Sequence, residues 1–166
     1  GWYTAYTPYQ AEISQGRIEA LLNYQTMICS LTGMPLSNAS LLDEGTAAGE
    51  MMLMFSHARS REAVKNNVNK YFVSEDVFSH SLAVIKTNAA PLGIEVVVGK
   101  ADQVELDGTF FGAMVQYPNQ HGAIHDYSAF VAKAKEHSIF VGAAADLMSL
   151  TLVTPPGEWG ADCVMG

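Results

Sequence analysis

The stretch Ile139-Phe140-Val141-Gly142-Ala143-Ala144-Ala145-Asp146 decides how the rest of the chain is read. Seven residues without a polar side chain run straight into a carboxylate. A strand with one face in water would alternate apolar and polar residues. An unbroken apolar strand of this length is covered on both faces, as in a parallel sheet flanked by helices. Working outward, Phe110–Gln116 is a second such run, closed by Tyr117-Pro118-Asn119, and Ile94–Val98 and Tyr71-Phe72-Val73 are shorter ones. Between them lie helical patterns. Asp126 caps a helix whose inner face is Tyr127, Phe130, Val131 and Ala134, ended by His137-Ser138. Phe78 to Ala90 reads as a helix with Leu82, Ile85 and Ala89 inward, stopped by Pro91 and Gly93. Strand, helix and strand in succession give βαβ units and a mostly parallel sheet.

Two helices precede this region. Residues 12–32 carry a stripe of Arg17, Ala20, Leu21, Tyr24, Met27, Ile28 and Leu31, with Gly33 and Pro35 as stop signals. Residues 44–61 form the next, with Ala48, Met51, Met52 and Phe55 on one face, and Met51, Met52 and Met54 are expected to fill core. Residues 1–11 read as an extended aromatic arm, because four of the first nine residues are aromatic and Thr7-Pro8 disfavours a helix. The arm either packs on the core or carries phenol hydroxyls to a ligand or partner. Leu150–Val153 is expected to add a short strand before Pro155-Pro156-Gly157, and Asp162–Met165 to begin another. The expectation is therefore a partial α/β domain over 12–166, cut at its C-terminal edge.

Composition narrows function. The 166 residues include 9 Lys plus Arg against 17 Asp plus Glu, a net charge of −8, which argues against nucleic acid as a partner. Hydrophobic residues make up 49%, which excludes a disordered chain. No apolar run approaches the ~20 residues of a membrane-spanning helix. Cys29 and Cys163 are too few for a disulfide framework and are expected to be buried free thiols. The five histidines show no metal-ligand spacing, so no metal site is expected. His57 and His137 fall near helix C-termini, where the dipole accounts for them.

In an open parallel sheet, ligands bind at the carboxyl ends of the strands. Three such ends are chemically loaded: Ser74-Glu75-Asp76, Tyr117-Pro118-Asn119 and Asp146. The helix start Asp43-Glu44-Gly45-Thr46 adds a fourth feature. Gly45 and Thr46 suit an anion cradle, whereas Asp43 and Glu44 would repel a phosphate and suit the positive end of the helix dipole instead. On these residues alone, a ligand-binding α/β domain using Asp146 and Asn119 remains open.

Four stretches carry a resemblance that spans the chain: Tyr6-Thr7-Pro8-Tyr9-Gln10, residues 12–27 from Glu12 to Met27, residues 38–48 from Asn38 to Ala48, and Pro155-Pro156-Gly157-Glu158-Trp159-Gly160-Ala161-Asp162. Together they resemble the glycine cleavage system P-protein family, and within it the N-terminal or α-type half. The resemblance implies a fold-type-I, pyridoxal-phosphate transferase-like large domain. For the parent enzyme it implies glycine decarboxylation, with pyridoxal phosphate as electron sink and aminomethyl transfer to the lipoyl arm of the H-protein. The Schiff-base lysine of the family lies in the C-terminal half, so no catalytic residue is expected here. Lys65, Lys70, Lys86, Lys100, Lys133 and Lys135 all fall on polar helix or loop segments. Asp146 matches the aspartate that pairs with the pyridinium nitrogen, Phe78 falls near the ring-stacking histidine, and Asp43 to Thr46 occupy the phosphate-cup region. The resemblance thus implies a degenerate copy of the cofactor site, with no cofactor bound to this chain alone. It also implies the C-terminal or β half as partner, with Tyr6, Thr7 and Tyr9 as candidates to reach that half's site, and a dimer or self-association. The setting it implies is the bacterial cytoplasm, or the mitochondrial matrix in a eukaryote.

Overall fold

A computed structural model describes residues 17–38 and 41–166. The arm expected at 1–11 and its candidates Tyr6, Thr7 and Tyr9 lie outside the described residues.

Helix α1 (Ile18–Thr32) ends where Gly33 takes a left-handed conformation (φ 71°) and donates its N–H to the Cys29 carbonyl. Helix α2 (Glu44–Ala58) is capped by Asp43, whose carboxylate accepts the Thr46 N–H at 2.7 Å. The helix expected to run to residue 61 breaks at Arg59, which is extended (ψ 142°), and the Ser60 hydroxyl caps a separate short helix α3 (Arg61–Lys65). Then follow β1 (Lys70–Ser74), α4 (Ser79–Ala89), β2 (Glu95–Gly99), β3 (Phe110–Tyr117), α5 (Ser128–Glu136), β4 (Phe140–Ala145) and β5 (Cys163–Met165). Asp126 does cap the turn into α5, its carboxylate accepting the Ser128 N–H at 2.8 Å.

The five strands form one sheet in the order β2-β1-β3-β4-β5, every pair parallel. Each face is covered, as the unbroken apolar strands required. On one side Phe72, Val115 and Val141 pack with Tyr127, Phe130 and Val131 of α5. On the other, Tyr71, Val73 and Met114 pack with Met52 and Phe55 of α2 and Ile85 of α4. Alternate residues of β1 therefore go to opposite faces, both buried. Burying a side chain such as Phe72 contributes roughly 1.5–3 kcal/mol.

Some sequence expectations fail here. Leu150–Val153 is not a strand: Ser149–Thr151 form a 3-10 turn, because the Asp146 backbone and side chain bind Ser149 and fold the segment back. Met51 and Met52 fill core but Met54 is half exposed, on the side of α2 away from the sheet. Cys29 and Cys163 are free but only half-buried. Lys70 is not on a helix or loop; it opens β1, with its ammonium over the Phe110 ring. The α1 stripe has helical spacing, yet Thr32 is the only buried residue of that helix, and Tyr24 and Met27 are exposed.

Candidate functional site

Because all five strands are parallel, their carboxyl ends share one edge, and the sequence-predicted site residues can be placed on it. The N-terminus of α2 meets this edge at β3. The Gln116 side-chain amide donates to the Glu44 carboxylate at 3.3 Å, and Gln116 itself is buried. The Gln116 side-chain oxygen Oε1 has no partner among the described residues. Tyr127 closes the floor, its hydroxyl donating to the Gln116 main-chain carbonyl at 3.3 Å. Burial pushes the Tyr127 phenol up to about 12, with Asp76 adding to the shift. Gln116 carried no sequence signal of its own. It closes an apolar run, and only the fold shows that it faces Glu44.

Several of the predicted residues have an internal use. Asp43 caps α2, and the Thr46 N–H holds its carboxyl below the ordinary 3.8. Gly45 is buried with its α-carbon against Val84 and Ser81 of α4, which brings the two helices close. Asp146 follows β4 but turns away: its carboxylate accepts the Met148 and Ser149 N–H groups at 3.4 and 3.2 Å. Asn119 is buried and spends its carbonyl oxygen on the His121 and Ala123 N–H groups. Phe78 precedes α4 and stacks on His80 at 5.6 Å.

These residues do not fit pyridoxal phosphate. Two carboxylates occupy the end of the edge where a phosphate would seat. The Asp146 carboxylate is committed to backbone N–H groups. Five of the six lysines are exposed, and the half-buried one, Lys70, lies at the opposite, amino end of β1. Among the described residues no group of His, Cys, Asp and Glu could hold a metal ion, and no helix is long and apolar enough to cross a membrane.

A larger concavity of about 830 Å3 lies beside this edge, between α1, residues 34–38 and β5. Ile28, Met34, Leu41 and Met54 line it, and Asp43 and Glu44 stand on its rim. Cys163 borders it, and burial pushes its thiol up.

Comparison with known proteins accounts for this mixture of an intact fold and an occupied edge. Glycine dehydrogenase (decarboxylating) from Flavobacterium johnsoniae is 55% identical over 166 residues, all of this chain and 18% of the relative. The Synechocystis enzyme of the same name is also 55% identical over the whole chain, which covers 16% of it. The chain thus spans less than a fifth of the length of these relatives. A crystal structure of glycine decarboxylase (P-protein) in inhibitor-bound form superposes with a TM-score of 0.80 at 33% identity, covering 96% of this chain and 36% of that one. A cystathionine gamma lyase from Micromonospora echinospora has a TM-score of 0.64 at 15% identity, covering 98% and 43%, which shows the fold-type-I architecture alone. The glycine cleavage system P-protein family matches residues 1–166, and this chain belongs to it.

Proposed function

We propose that this chain is one segment of a pyridoxal-phosphate-dependent glycine decarboxylase and that it holds no cofactor itself. The observation that carries this reading is a whole-length family match joined to a strand-end edge whose polar groups are already used internally. The parent reaction is decarboxylation of glycine, with the aminomethyl group passed to the lipoylated H-protein. Pyridoxal phosphate supplies the electron sink for that reaction, on a lysine of the C-terminal, β-type half. The described part of this chain supplies a rigid platform instead.

Within that reading, residues 1–11 form an arm that completes the neighbouring half's site. Tyr6 or Tyr9 hydrogen-bonds the cofactor or the glycine carboxylate, and Thr7 orients it. A second reading, in which the chain only scaffolds the catalytic half, is favoured by the exposed apolar face of α1. The relatives are bacterial, which supports a bacterial cytoplasm as the setting in which the chain pairs with its β-type partner or self-associates.

Two measurements test this. Borohydride reduction of the chain mixed with pyridoxal phosphate, followed by peptide mapping, is expected to show no preferred lysine. A single stoichiometric adduct would overturn the absence of a cofactor site. In the full enzyme, Tyr6→Phe and Tyr9→Phe are expected to slow exchange of labelled bicarbonate into glycine. Unchanged exchange in both would leave scaffolding as the function.

A further inference from the structure

A second concavity, of about 290 Å3, lies at the amino ends of the strands, on the edge of the sheet opposite the one described above. Phe110 and Phe140 open β3 and β4 there, and Arg59 and His137 close helices α2 and α5. Its walls are aromatic, with Phe110, Phe111 and Phe140 all in the lining. Arg59 and His137 are the basic side chains of that lining, and no Asp or Glu accompanies them. In a chain of net charge −8 this is a local reversal of sign. Lys70 adds to it, its ammonium standing 5.7 Å from the Phe110 ring centre. Asp107 neighbours the lining residue Gly108, but its carboxylate is taken by the N–H and hydroxyl of Thr109. The Arg59 guanidinium is fixed at the wall. Nη1 donates to the Val68 carbonyl at 2.7 Å, Nε to the Ser56 carbonyl at 2.7 Å and Nη2 to the Ser56 hydroxyl at 3.0 Å. The group lies 5.2 Å over the Phe111 ring, and both Val68 and Phe111 line the cavity. These acceptors are neutral, so they orient the fork without neutralising its charge. Among the described residues no carboxylate pairs with it. A guanidinium carries two N–H groups on each terminal nitrogen, so one on Nη1 and one on Nη2 are left over. Such a pair grips a carboxylate through two parallel bonds.

We propose that this cavity binds a small organic carboxylate. The carboxylate sits on the free N–H pair of Arg59, and an aromatic or branched apolar body lies against Phe110, Phe111 and Phe140. Apolar walls with one placed charge are the usual chemistry of a small-molecule site. The volume falls at the small end of such sites, about 300–1,000 Å3, so the ligand has a single ring and is not a nucleotide. An inorganic anion would leave the three rings without a partner, and a neutral aromatic would leave the fork without one. The site uses no residue of the carboxyl edge and no cofactor chemistry, so it stands or falls apart from the decarboxylase reading.

The test titrates phenylacetate by ligand-observed NMR into two proteins. One is the 166-residue chain, and the other is the Flavobacterium johnsoniae glycine dehydrogenase carrying this chain in place of the region it matches. In both, an Arg59-dependent site with a Kd of about 1 mM or tighter is expected. Phenylacetamide has the ring without the charge, and inorganic phosphate has charge without the ring. Each is expected to bind at least ~10-fold more weakly than phenylacetate. Equal affinity for either would overturn the ligand class. Arg59→Met removes the fork and is expected to weaken phenylacetate at least ~10-fold, but it also frees the Val68 carbonyl. Gly108→Leu is therefore the second variant. A Cβ at Gly108 meets nothing within 4 Å, so the larger side chain narrows the cavity and leaves the three bonds of Arg59 in place. It is expected to weaken phenylacetate by a similar factor, and unchanged affinity would overturn the location. Binding to the isolated chain that is lost in the chimera would overturn the proposal as well, because the surrounding polypeptide would then hold the Arg59 fork.

Discussion

Gly112 stands at an irregularity of β3, where Lys70 pairs with Phe110 but Tyr71 pairs with Gly112, leaving Phe111 as an extra residue. A methyl group at position 112 would sit 2.9 and 3.0 Å from two ring carbons of Tyr71 and 3.1 Å from a ring carbon of Phe55. Neither ring can step back. Tyr71 is fully buried and stacked on Phe111 at 5.5 Å, and Phe55 is stacked on Phe140 at 5.3 Å. Overpacking of this kind costs about 1–3 kcal/mol. Replacing glycine where its backbone suits alanine returns about 0.4–1 kcal/mol through the unfolded chain. At the middle of both ranges the strain wins, and Gly112→Ala is expected to lose about 1.3 kcal/mol, a fall in Tm of about 3–5 °C for a chain of this size. Gly142 is the control. A methyl there meets the thioether end of Met51, and Met51 borders the open groove into which that end can swing. Gly142→Ala should therefore cost under ~1 kcal/mol. Urea unfolding followed by circular dichroism measures both. A Gly112→Ala protein as stable as the parent, or a larger loss for Gly142→Ala, would refute the packing argument. The double variant Gly112→Ala/Phe55→Leu should show favourable coupling of at least ~0.5 kcal/mol, because the smaller side chain frees space for the methyl.

Other consequences can be measured on the same protein. Asp43 is held below the ordinary 3.8 by the N–H and side chain of Thr46, Asp107 by the side chain and N–H of Thr109, and Asp126 by the side chain and N–H of Ser128. Groups depressed on folding add stability above the unfolded value and lose it as pH falls through the folded one. Stability should therefore decline as pH drops below about 4, and Asp43→Asn should flatten that decline in acid urea titrations. At the alkaline end, burial raises the phenols of Tyr71, Tyr117 and Tyr127. Raised groups stabilise the fold below their unfolded value, and that contribution fades above pH ~10. Spectrophotometric titration should show these three phenols ionising above pH ~10. Tyr127→Phe removes the hydrogen bond to the Gln116 carbonyl and should cost about 1 kcal/mol in urea unfolding. Asp146→Ala should loosen the turn at 146–151 and speed proteolytic cleavage there, leaving the sheet signal in circular dichroism unchanged.

The sheet was readable in the sequence because its strands are buried on both faces. Burial leaves a run of apolar residues that no other element of that length produces, so β3 and β4 were placed to within a residue. Short elements set by single polar groups were not readable. The break at Arg59 depends on its guanidinium reaching the Val68 carbonyl at 2.7 Å, a bond between residues nine apart that periodicity cannot reveal. Leu150–Val153 has the composition of a strand, and a carboxylate four residues earlier folds it into a turn instead. The stripe on α1 is periodic, yet most of it is not buried among the described residues. Periodicity identifies the face a helix buries in its finished surroundings, and it is silent on whether the partner is in hand.

A similar distinction applies to the site residues read from the sequence. Asp43-Glu44-Gly45-Thr46 has both the small residues of an anion cradle and the acids that oppose one. The structure shows which property acts locally. The first free N–H groups of a helix attract an anion from any source, and here the Asp43 carboxylate supplies it, three residues before the Thr46 N–H that donates to it. Glu44 then turns inward to Gln116. An external phosphate would have to displace the Asp43 carboxylate from Thr46 and stand beside Glu44, against Coulomb repulsion in a partly dry site. The Thr46 N–H at the helix end is thus satisfied by the chain's own carboxylate. A single change probes this: Asp43→Gly/Glu44→Gln removes both carboxylates and frees the Thr46 N–H. If the acids are what exclude phosphate, inorganic phosphate should raise the Tm of this double variant and leave the parent unmoved. An equal response in both would mean that the geometry of the edge, not its charge, keeps anions out.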